Sequence, residues 1–363
     1  FPGSDLYADA VKNNWLVPAN ALAGYDTIID VRTPAEFALD HIPGAVNFPV
    51  LSNEERVRVG TIYKQVSPFE AKKIGAALIS QNIARHLQEH LLDKPKDWCP
   101  LIYCWRGGQR SGAMQVIFRQ IGWNADRIEG GYKAFRHHVM DNTGELAKRL
   151  RMLISCGATG SAKTRILQQI EAQGGQILDL ETLASHKGSV LGNLPDEPQP
   201  SQKGFETRVW KRLTELDPTR PVFVEAESRK VGNLHVPEPV IEAMRASPCL
   251  DVRASMDARV DFLLRDYPYA QQDNAWLLPR LWKLKERQGT SVIEHWQELV
   301  EQAQWRTLVQ ELLELHYDPL YRQSQGLNYT GKRHWPTFET SDLSDAGIAE
   351  VAGRMLQAVN AGR

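Results

Sequence analysis

The sequence predicts an α/β protein with two parallel-sheet domains in succession and a mostly helical C-terminal part. Three observations carry this. CPLIYC and RMLISCG are short apolar runs, each followed by a glycine-bearing loop and then a helical pattern. Strand, loop and helix in that order are what a parallel sheet with crossover helices requires. The chain has 363 residues, too many for one ordinary core and suited to two domains. The boundaries read as a first domain over 1–137, a connector over 138–150, a second α/β domain over 151–270 and the helical part over 271–363.

In the first domain, YDTIIDVR reads as a buried strand ending near Asp30 and Arg32. TPAEFALD follows as a helix with Thr33 as N-cap, Pro34 at the first position and Glu36 at the capping-box position. HIPGAVNFP is turn and strand chemistry. Asn53 to Leu92 is mostly helical, with a break at Ser67-Pro68. After CPLIYC, Met114, Ile117, Phe118 and Ile121 share one helical face. HHVMDNTGELAKRL is a connector or a helix that carries the chain onward.

The second domain reads as alternating strands and helices. RMLISCG, QILDLE, PVFVEAES and PCLDVRA are strands; AKTRILQQIEAQG, GFETRVWKRLTELD, EPVIEAMRAS and ARVDFLLRDY are helices. GSVLGNLPDEPQPSQKG has little periodicity and is long enough to be a mobile substrate loop. From about Gln272 onward the pattern is helical with few strand signals, and no internal repeat is found.

Composition narrows the class. Hydrophobic residues make up 42% and charged residues 24%, as in soluble globular proteins. No apolar run of about 18 residues exists, so no membrane span is expected. The opening FPGSDLYADA has no basic segment before an apolar core, so no signal peptide is expected there. Four cysteines in so long a chain do not form a disulfide framework, and a reducing, cytoplasmic setting is expected. The formal net charge of -1 gives no global attraction to nucleic acid, so RNA binding requires a local basic patch.

Cys104 stands where a strand gives way to a helix, in YCWRGGQRSG. Backbone amides in such a loop converge toward the helix N-terminus, bind anions and lower a thiol pKa. Trp105, Arg106, Gly107, Gly108, Gln109 and Arg110 form the loop; the two glycines let it curl, and Arg106 or Arg110 adds positive charge. Five residues between Cys104 and Arg110 suit a tetrahedral oxyanion held over a thiolate. The plain alternative is a buried cysteine beside an ordinary turn. Cys99, Cys156 and Cys249 lack this context and read as packing residues.

The second motif is GATGSAKT: Gly157, Ala158, Thr159, Gly160, Ser161, Ala162, Lys163 and Thr164. It lies between a strand and a helix, the setting of a phosphate-binding P-loop. Its amides would cradle a diphosphate, Lys163 would lie on the terminal phosphate, and Thr164 could hold Mg²⁺. Ala162 stands where the pattern has glycine; its methyl is tolerated if φ there is negative. Glu225 and Glu227 follow a strand's carboxyl end and are candidates to orient Mg²⁺ or act as base. Arg229, His186 and Ser189 are further polar candidates. Nothing downstream reads as an adenine or guanine reader. Lys203, Arg208, Lys211 and Arg212 beside Trp210, and Arg280, Lys283, Lys285 and Arg287 beside Trp282, are candidate RNA contacts by phosphate pairing and base stacking. The alternative is a solvated helix face over buried tryptophans.

DVRTPAEFALDHIPGAVNFP together with YCWRGGQRSG resembles the rhodanese domain over about the first 135 residues. The resemblance implies a loop cysteine that carries a sulfane sulfur. The loop here is one residue longer than in ordinary rhodaneses and the size of that in rhodanese-like phosphatases, so chalcogen transfer and phosphoester hydrolysis both stay open. With GATGSAKT, LDLETLASHKGSVLG, VFVEAESRKVG and YDPLY added in order, the chain resembles the tRNA 2-selenouridine synthases from about Leu22 to Tyr321. Ala162 and Lys187, where arginine is expected, depart from that pattern.

That resemblance implies an N-terminal rhodanese-like domain and a P-loop NTPase-like domain with a helical C-terminal part. It also implies two reactions on a wobble 2-thiouridine of tRNA: S-geranylation from geranyl diphosphate, then replacement of the geranylated sulfur by selenium from selenophosphate. Cys104 would serve the selenium step, and Lys163 with the loop would stabilise departing pyrophosphate. No tightly bound cofactor is expected. A selenophosphate synthetase is a candidate supplier, and no membrane partner is expected. The rival readings are a rhodanese-type sulfurtransferase or thiol phosphatase fused to a nucleotide-dependent kinase, and a non-catalytic RNA-binding adaptor.

Overall fold

This computed structural model describes residues 24–361 apart from 107, 190, 227 and 329–335, with the backbone alone at 324–328 and 361. The described chain divides into two compact units between Asn142 and Thr143.

The first unit is built on a parallel sheet of β1 (Thr27–Asp30), β2 (Val46–Asn47), β3 (Pro100–Tyr103) and β4 (Asp126–Arg127), in the order β2-β1-β3-β4. Its helices are α1 (Pro34–Leu39), α2 (Asn53–Gln65), α3 (Pro68–His86), α4 (Gln109–Ile121) and the first part of α5 (Gly131–Arg149), whose last residues belong to the second unit. Thr33 and Glu36 close the expected capping box on α1, and a second box at Ser52 and Glu55 opens α2. Ser67 and Pro68 start α3 where the break was expected. β3 lies between β1 and β4 and all four of its residues are buried, because helices cover both faces. Ile29, Ile102, Met114, Phe118, Trp98 and Trp123 share its core.

The second unit has a five-stranded parallel sheet of β5 (Arg151–Cys156), β6 (Gln176–Leu178), β7 (Pro221–Glu225), β10 (Cys249–Ala254) and β11 (Thr337–Thr340), in the order β11-β10-β5-β7-β6. A small antiparallel pair, β8 (Lys230–Val231) and β9 (Leu234–His235), stands apart from it. The helices that follow are α6 (Lys163–Ala172), α7 (Leu180–Leu183), α8 (Gln202–Glu215), α9 (Glu238–Arg245) and α10 (Met256–Asp266). Then come α11 (Pro268–Gln272), α12 (Asn274–Trp282), α13 (Lys285–Gln288), α14 (Thr290–Glu301) and α15 (Trp305–Glu311). A wider turn at Leu312–Tyr317 leads into α16 (Asp318–Asn328), and α17 (Asp345–Ala361) ends the described chain.

Alternation along the strands splits the core in two. Met152, Ile154 and Val224 face α8 and α9 through Phe205, Val209 and Met244. Leu153, Phe223 and Val252 face α6, α10 and α17 through Ile166, Phe262 and Met355. α12, α14 and α15 gather a separate core around Trp296.

The C-terminal part differs from the helical expectation at one place. TFET forms β11 and pairs in parallel with β10, and α17 packs against α6. Only Phe338 of that strand is buried, so an edge strand with one inward side chain gives little periodic signal. The long loop after Lys187 makes hydrogen bonds near both of its ends. Lys187 N–H donates to Gly192 O, Ser185 Oγ donates to Glu197 at 2.6 Å, and Gln199 Nε2 donates to the carbonyls of Ala184 and Val231.

Because α17 shields the helix that opens from the phosphate loop, Met355→Ala is expected to destabilise the second unit by about 2–5 kcal/mol. A lowered urea midpoint checks this; an unchanged midpoint contradicts the packing.

Candidate active sites

The thiol loop occupies the turn between β3 and α4. Cys104 follows the last strand residue and is 3% exposed. Its carbonyl accepts from Tyr132 N–H and that of Trp105 accepts from Lys133 N–H, both at 2.9 Å, which fixes the loop's base. Ser111, in the first turn of α4, donates its hydroxyl to Cys104 Sγ at 3.2 Å. Burial pushes the Cys104 thiol up. The Ser111 hydroxyl and amide, the Arg110 charge and the Arg106 amide push it down and prevail, so it lies below an ordinary cysteine.

Arg110 does not hang free over the thiol. It donates to Glu36 at 2.7 and 3.3 Å. Burial pushes the Glu36 carboxyl up, but Arg110 and the Thr33 amide hold it below its usual range. Trp105 is 36% exposed, with its ring 5.3 Å from that of Tyr132. Arg106, Gly108 and Gln109 are exposed. Gly107 lies outside the described residues. Ser111 escaped sequence reading; its signal was a hydroxyl directly after Arg110, where the helix's first turn folds back over the strand end.

The phosphate loop follows β5, the middle strand of its sheet, at the carboxyl edge where ligands of such sheets bind. Three successive carbonyls are tied back. Gly157 O accepts from Lys163 Nζ at 2.9 Å, Ala158 O from Ser161 Oγ at 2.7 Å, and Thr159 O from Arg259 Nε at 2.9 Å. A Cβ on Gly157 would lie 2.5 Å from Ser161 Oγ and 2.8 Å from Val252 O, so only glycine fits there. The condition on which the Ala162 methyl is tolerated, a negative φ, is not met: the residue sits at φ +57°, in the left-handed region. A side chain there costs about 1–2 kcal/mol.

Thr164 Oγ1 donates to Glu181 at 2.6 Å, and Glu181 N–H donates to Glu225 at 2.9 Å. Glu225 is fully buried at the end of β7, so it stands behind Glu181 and does not line the cleft. Glu181 was not singled out from the sequence. A hydroxyl and a carboxylate beside a phosphate loop are oxygen donors of the kind Mg²⁺ takes, with substrate phosphates completing its shell. Among the described residues no cluster of three His, Cys, Asp or Glu side chains is built to hold a metal alone.

A cleft of about 640 Å³ opens beside the loop. Its polar side carries Lys163, Thr164, Glu181, His186, Lys187 and Ser189. His186 is buried, which lowers its pKa, and its Nδ1 accepts from Gly188 N–H at 3.0 Å. Lys187 donates to the Asp266 carboxylate and carbonyl, both at 2.6 Å, and lies 4.2 Å from the Tyr267 ring centre. Apolar and aromatic side chains line the cleft as well: Phe262, Leu263, Tyr267, Tyr317, Leu320 and Tyr321. Burial holds the Tyr267 phenol well above its ordinary range and that of Tyr317 at about 12, so both are neutral near pH 7.

Other candidates fall elsewhere. Arg229 is exposed, pairs with Glu238 at 3.0 Å and does not line the cleft. Glu227 lies outside the described residues. Of the basic side chains, Lys203, Arg208, Lys283, Lys285 and Arg287 are exposed. Arg208 donates to Leu183 O at 3.3 Å, Lys211 pairs with Glu215 at 3.1 Å, and Arg212 is engaged by Glu171, Glu215 and Ile177 O. Arg280 donates to Trp276 O and lies 4.0 Å from that ring. Trp210 and Trp282 are half-buried, so neither stands out as an open stacking platform.

A family model described as the tRNA 2-selenouridine synthase AAA domain matches residues 150–332, just over half of the chain. The chain belongs to the tRNA 2-selenouridine synthase family. A rhodanese-like domain model matches residues 17–138. Among relatives, the tRNA 2-selenouridine synthase of Sulfurovum sp. is 30% identical over 353 residues, covering 92% of each chain. That of Nitrosomonas europaea is 36% identical over 66% of this chain and 63% of its own length. That of Nitrosomonas eutropha is 37% identical over 68% and 64%. The match thus spans less than two thirds of the two Nitrosomonas relatives. The family's two-part α/β architecture agrees with both observed sheets. No helix among the described residues is long and apolar enough to cross a membrane.

Two outcomes follow from the geometry. Ser111→Ala is expected to raise the pH at which iodoacetamide alkylates Cys104 at half its maximal rate, slowing reaction at pH 7; an unmoved profile contradicts thiolate support by the hydroxyl. Ala162→Gly is expected to stabilise the second unit by about 1 kcal/mol in a urea melt, by removing the left-handed alanine.

Proposed function

We propose that this chain is a tRNA 2-selenouridine synthase that alkylates a wobble 2-thiouridine with geranyl diphosphate and then exchanges the alkylated sulfur for selenium. The observation that carries the reading is the cleft of the second unit, which the phosphate loop lines together with apolar and aromatic side chains. A donor with a diphosphate at one end and a hydrocarbon at the other matches both kinds of lining. The family relatives' shared name supports the overall reaction.

In the first step the uridine sulfur forms a bond to the prenyl carbon, the carbon–oxygen bond to diphosphate breaks, and the proton of the base's ring nitrogen passes to solvent. The charge grows on the departing pyrophosphate. Lys163 and the loop amides would receive it, and one such preorganised donor lowers the barrier by ~3 kcal/mol. Lys163 exchanges Gly157 O for a phosphate oxygen. Thr164 and Glu181 would hold Mg²⁺, which supplies further neutralisation of the diphosphate when bound.

Alkylation prepares the second step, because a thione leaves poorly and an S-alkyl group departs as a thiol. Selenium from selenophosphate adds at the base carbon, the prenyl thiol leaves with a proton taken from solvent, and water cleaves the selenium–phosphorus bond with release of phosphate. Cys104, with its lowered pKa, lies at the base of the first unit's loop and steers selenophosphate. tRNA reaches the sites through exposed basic side chains such as Lys203, Lys283 and Arg287. A selenophosphate synthetase is the expected source of the selenium donor in the cytoplasm.

Incubation of the purified chain with thiolated tRNA, geranyl diphosphate and selenophosphate, read by nucleoside mass, tests this. Cys104→Ala is expected to accumulate geranylated uridine without selenation, and Lys163→Ala to leave the thiouridine unalkylated. Loss of one and the same step in both variants contradicts the division of labour.

A further inference from the structure

We propose that Arg259 and Asp318 form a positioning pair that holds the phosphate loop in its anion-receiving shape. Arg259 comes from α10 and is 6% exposed. Its Nε donates to Thr159 O at 2.9 Å, inside the loop. Its two Nη atoms meet the two carboxylate oxygens of Asp318 at 3.0 and 2.5 Å. This is a fork-to-fork pair, in which the planar guanidinium fixes direction as well as distance. Asp318 opens α16 within YDPLY, a stretch to which the two reaction steps assign no task.

The peptide plane explains why one carbonyl matters. A trans peptide sets its C=O and N–H in opposite directions. The Thr159 carbonyl and the Gly160 N–H belong to one such plane, so bonding the first to Arg259 turns the second away from it. Thr159 and Gly160 both line the cleft. Gly160 has φ +83°, and a Cβ there would lie 2.9 Å from Leu263 and 3.4 Å from the Arg259 side chain, so this turn accepts glycine alone. One helical turn beyond Asp318, Tyr321 lines the same cleft as the loop.

Neither Arg259 nor Asp318 lines the cleft, so they act through the loop and touch no reacting atom. The inference rests on the reading that this loop receives a diphosphate, and it does not depend on what that diphosphate carries. Asp318 supplies the charge that keeps the guanidinium in its buried place; without it Arg259 faces a desolvation penalty that a single carbonyl does not offset.

The test uses the full chain and inorganic pyrophosphate with Mg²⁺, titrated by calorimetry. Arg259→Met is expected to weaken pyrophosphate about tenfold, the loss of a charge-assisted hydrogen bond. Arg259→Lys, which keeps one donor, is expected to recover part of that loss, and Asp318→Asn to fall between. Fitted site number and thermal midpoint distinguish weaker binding from a smaller folded fraction. In the alkylation assay kcat is expected to fall and the KM for the prenyl donor to rise, because the loop amides hold both the bound and the departing diphosphate. Pyrophosphate binding by Arg259→Met within about twofold of the unaltered chain overturns the inference. So does a loss seen only as fewer folded sites, or an absence of pyrophosphate binding by the unaltered chain. Tight pyrophosphate binding without any alkyl transfer sinks the prenyl reading and leaves the positioning pair standing.

Discussion

The first amides of a helix have no partner inside that helix, and both candidate sites are built on that constraint. A parallel strand that ends in a tight loop and turns into a helix gathers these amides at the sheet's carboxyl edge. In the first unit the gathering occurs after β3, with a thiol at its base. In the second it occurs after β5, with a lysine at its rim. The glycines do not create the anion site; they let the chain turn tightly enough to make one.

Each loop is also held by charges from elsewhere in its own unit. Glu36 caps its own helix and at the same time holds Arg110, so the cation beside Cys104 is placed before any anion arrives. Glu225 fixes the Glu181 amide while Glu181 accepts from Thr164. Asp266 holds Lys187, and Asp318 holds Arg259. These carboxylates offset positive charge in the absence of substrate. A bound diphosphate or selenophosphate would compete for the mobile cations, whereas the buried Arg259 fork stays with the loop. The proposed chemistry therefore needs little rearrangement beyond the exchange of Lys163 from a carbonyl to a phosphate oxygen.

Local features were legible in the sequence and distant pairings were not. The Thr33–Glu36 box, the break at Ser67-Pro68 and the strands before Cys104 and Gly157 depend on a few neighbouring residues, so their patterns survive in one dimension. Ser111 could have been found, because a strand–loop–helix turn returns the helix's first turn over the strand end. Lys187 and Asp266 are 79 residues apart, and Arg259 and Asp318 are 59 apart, so no spacing rule joins them. β11 was missed because it buries a single phenylalanine. The left-handed conformation of Ala162 was not legible because it is set by the loop around it. The apolar lining was invisible because α10 and the segment around Tyr317 supply it jointly from well-separated stretches of sequence.

The central claim is that the phosphate loop recognises a diphosphate whose other end is hydrocarbon. Competition against bound pyrophosphate tests it most directly, with geranyl diphosphate and ADP as the two competitors. The account predicts that geranyl diphosphate displaces pyrophosphate at least about tenfold more effectively than ADP does, since the lining rewards apolar contact. ADP binding tighter than geranyl diphosphate would contradict it and would assign the cleft to a nucleotide.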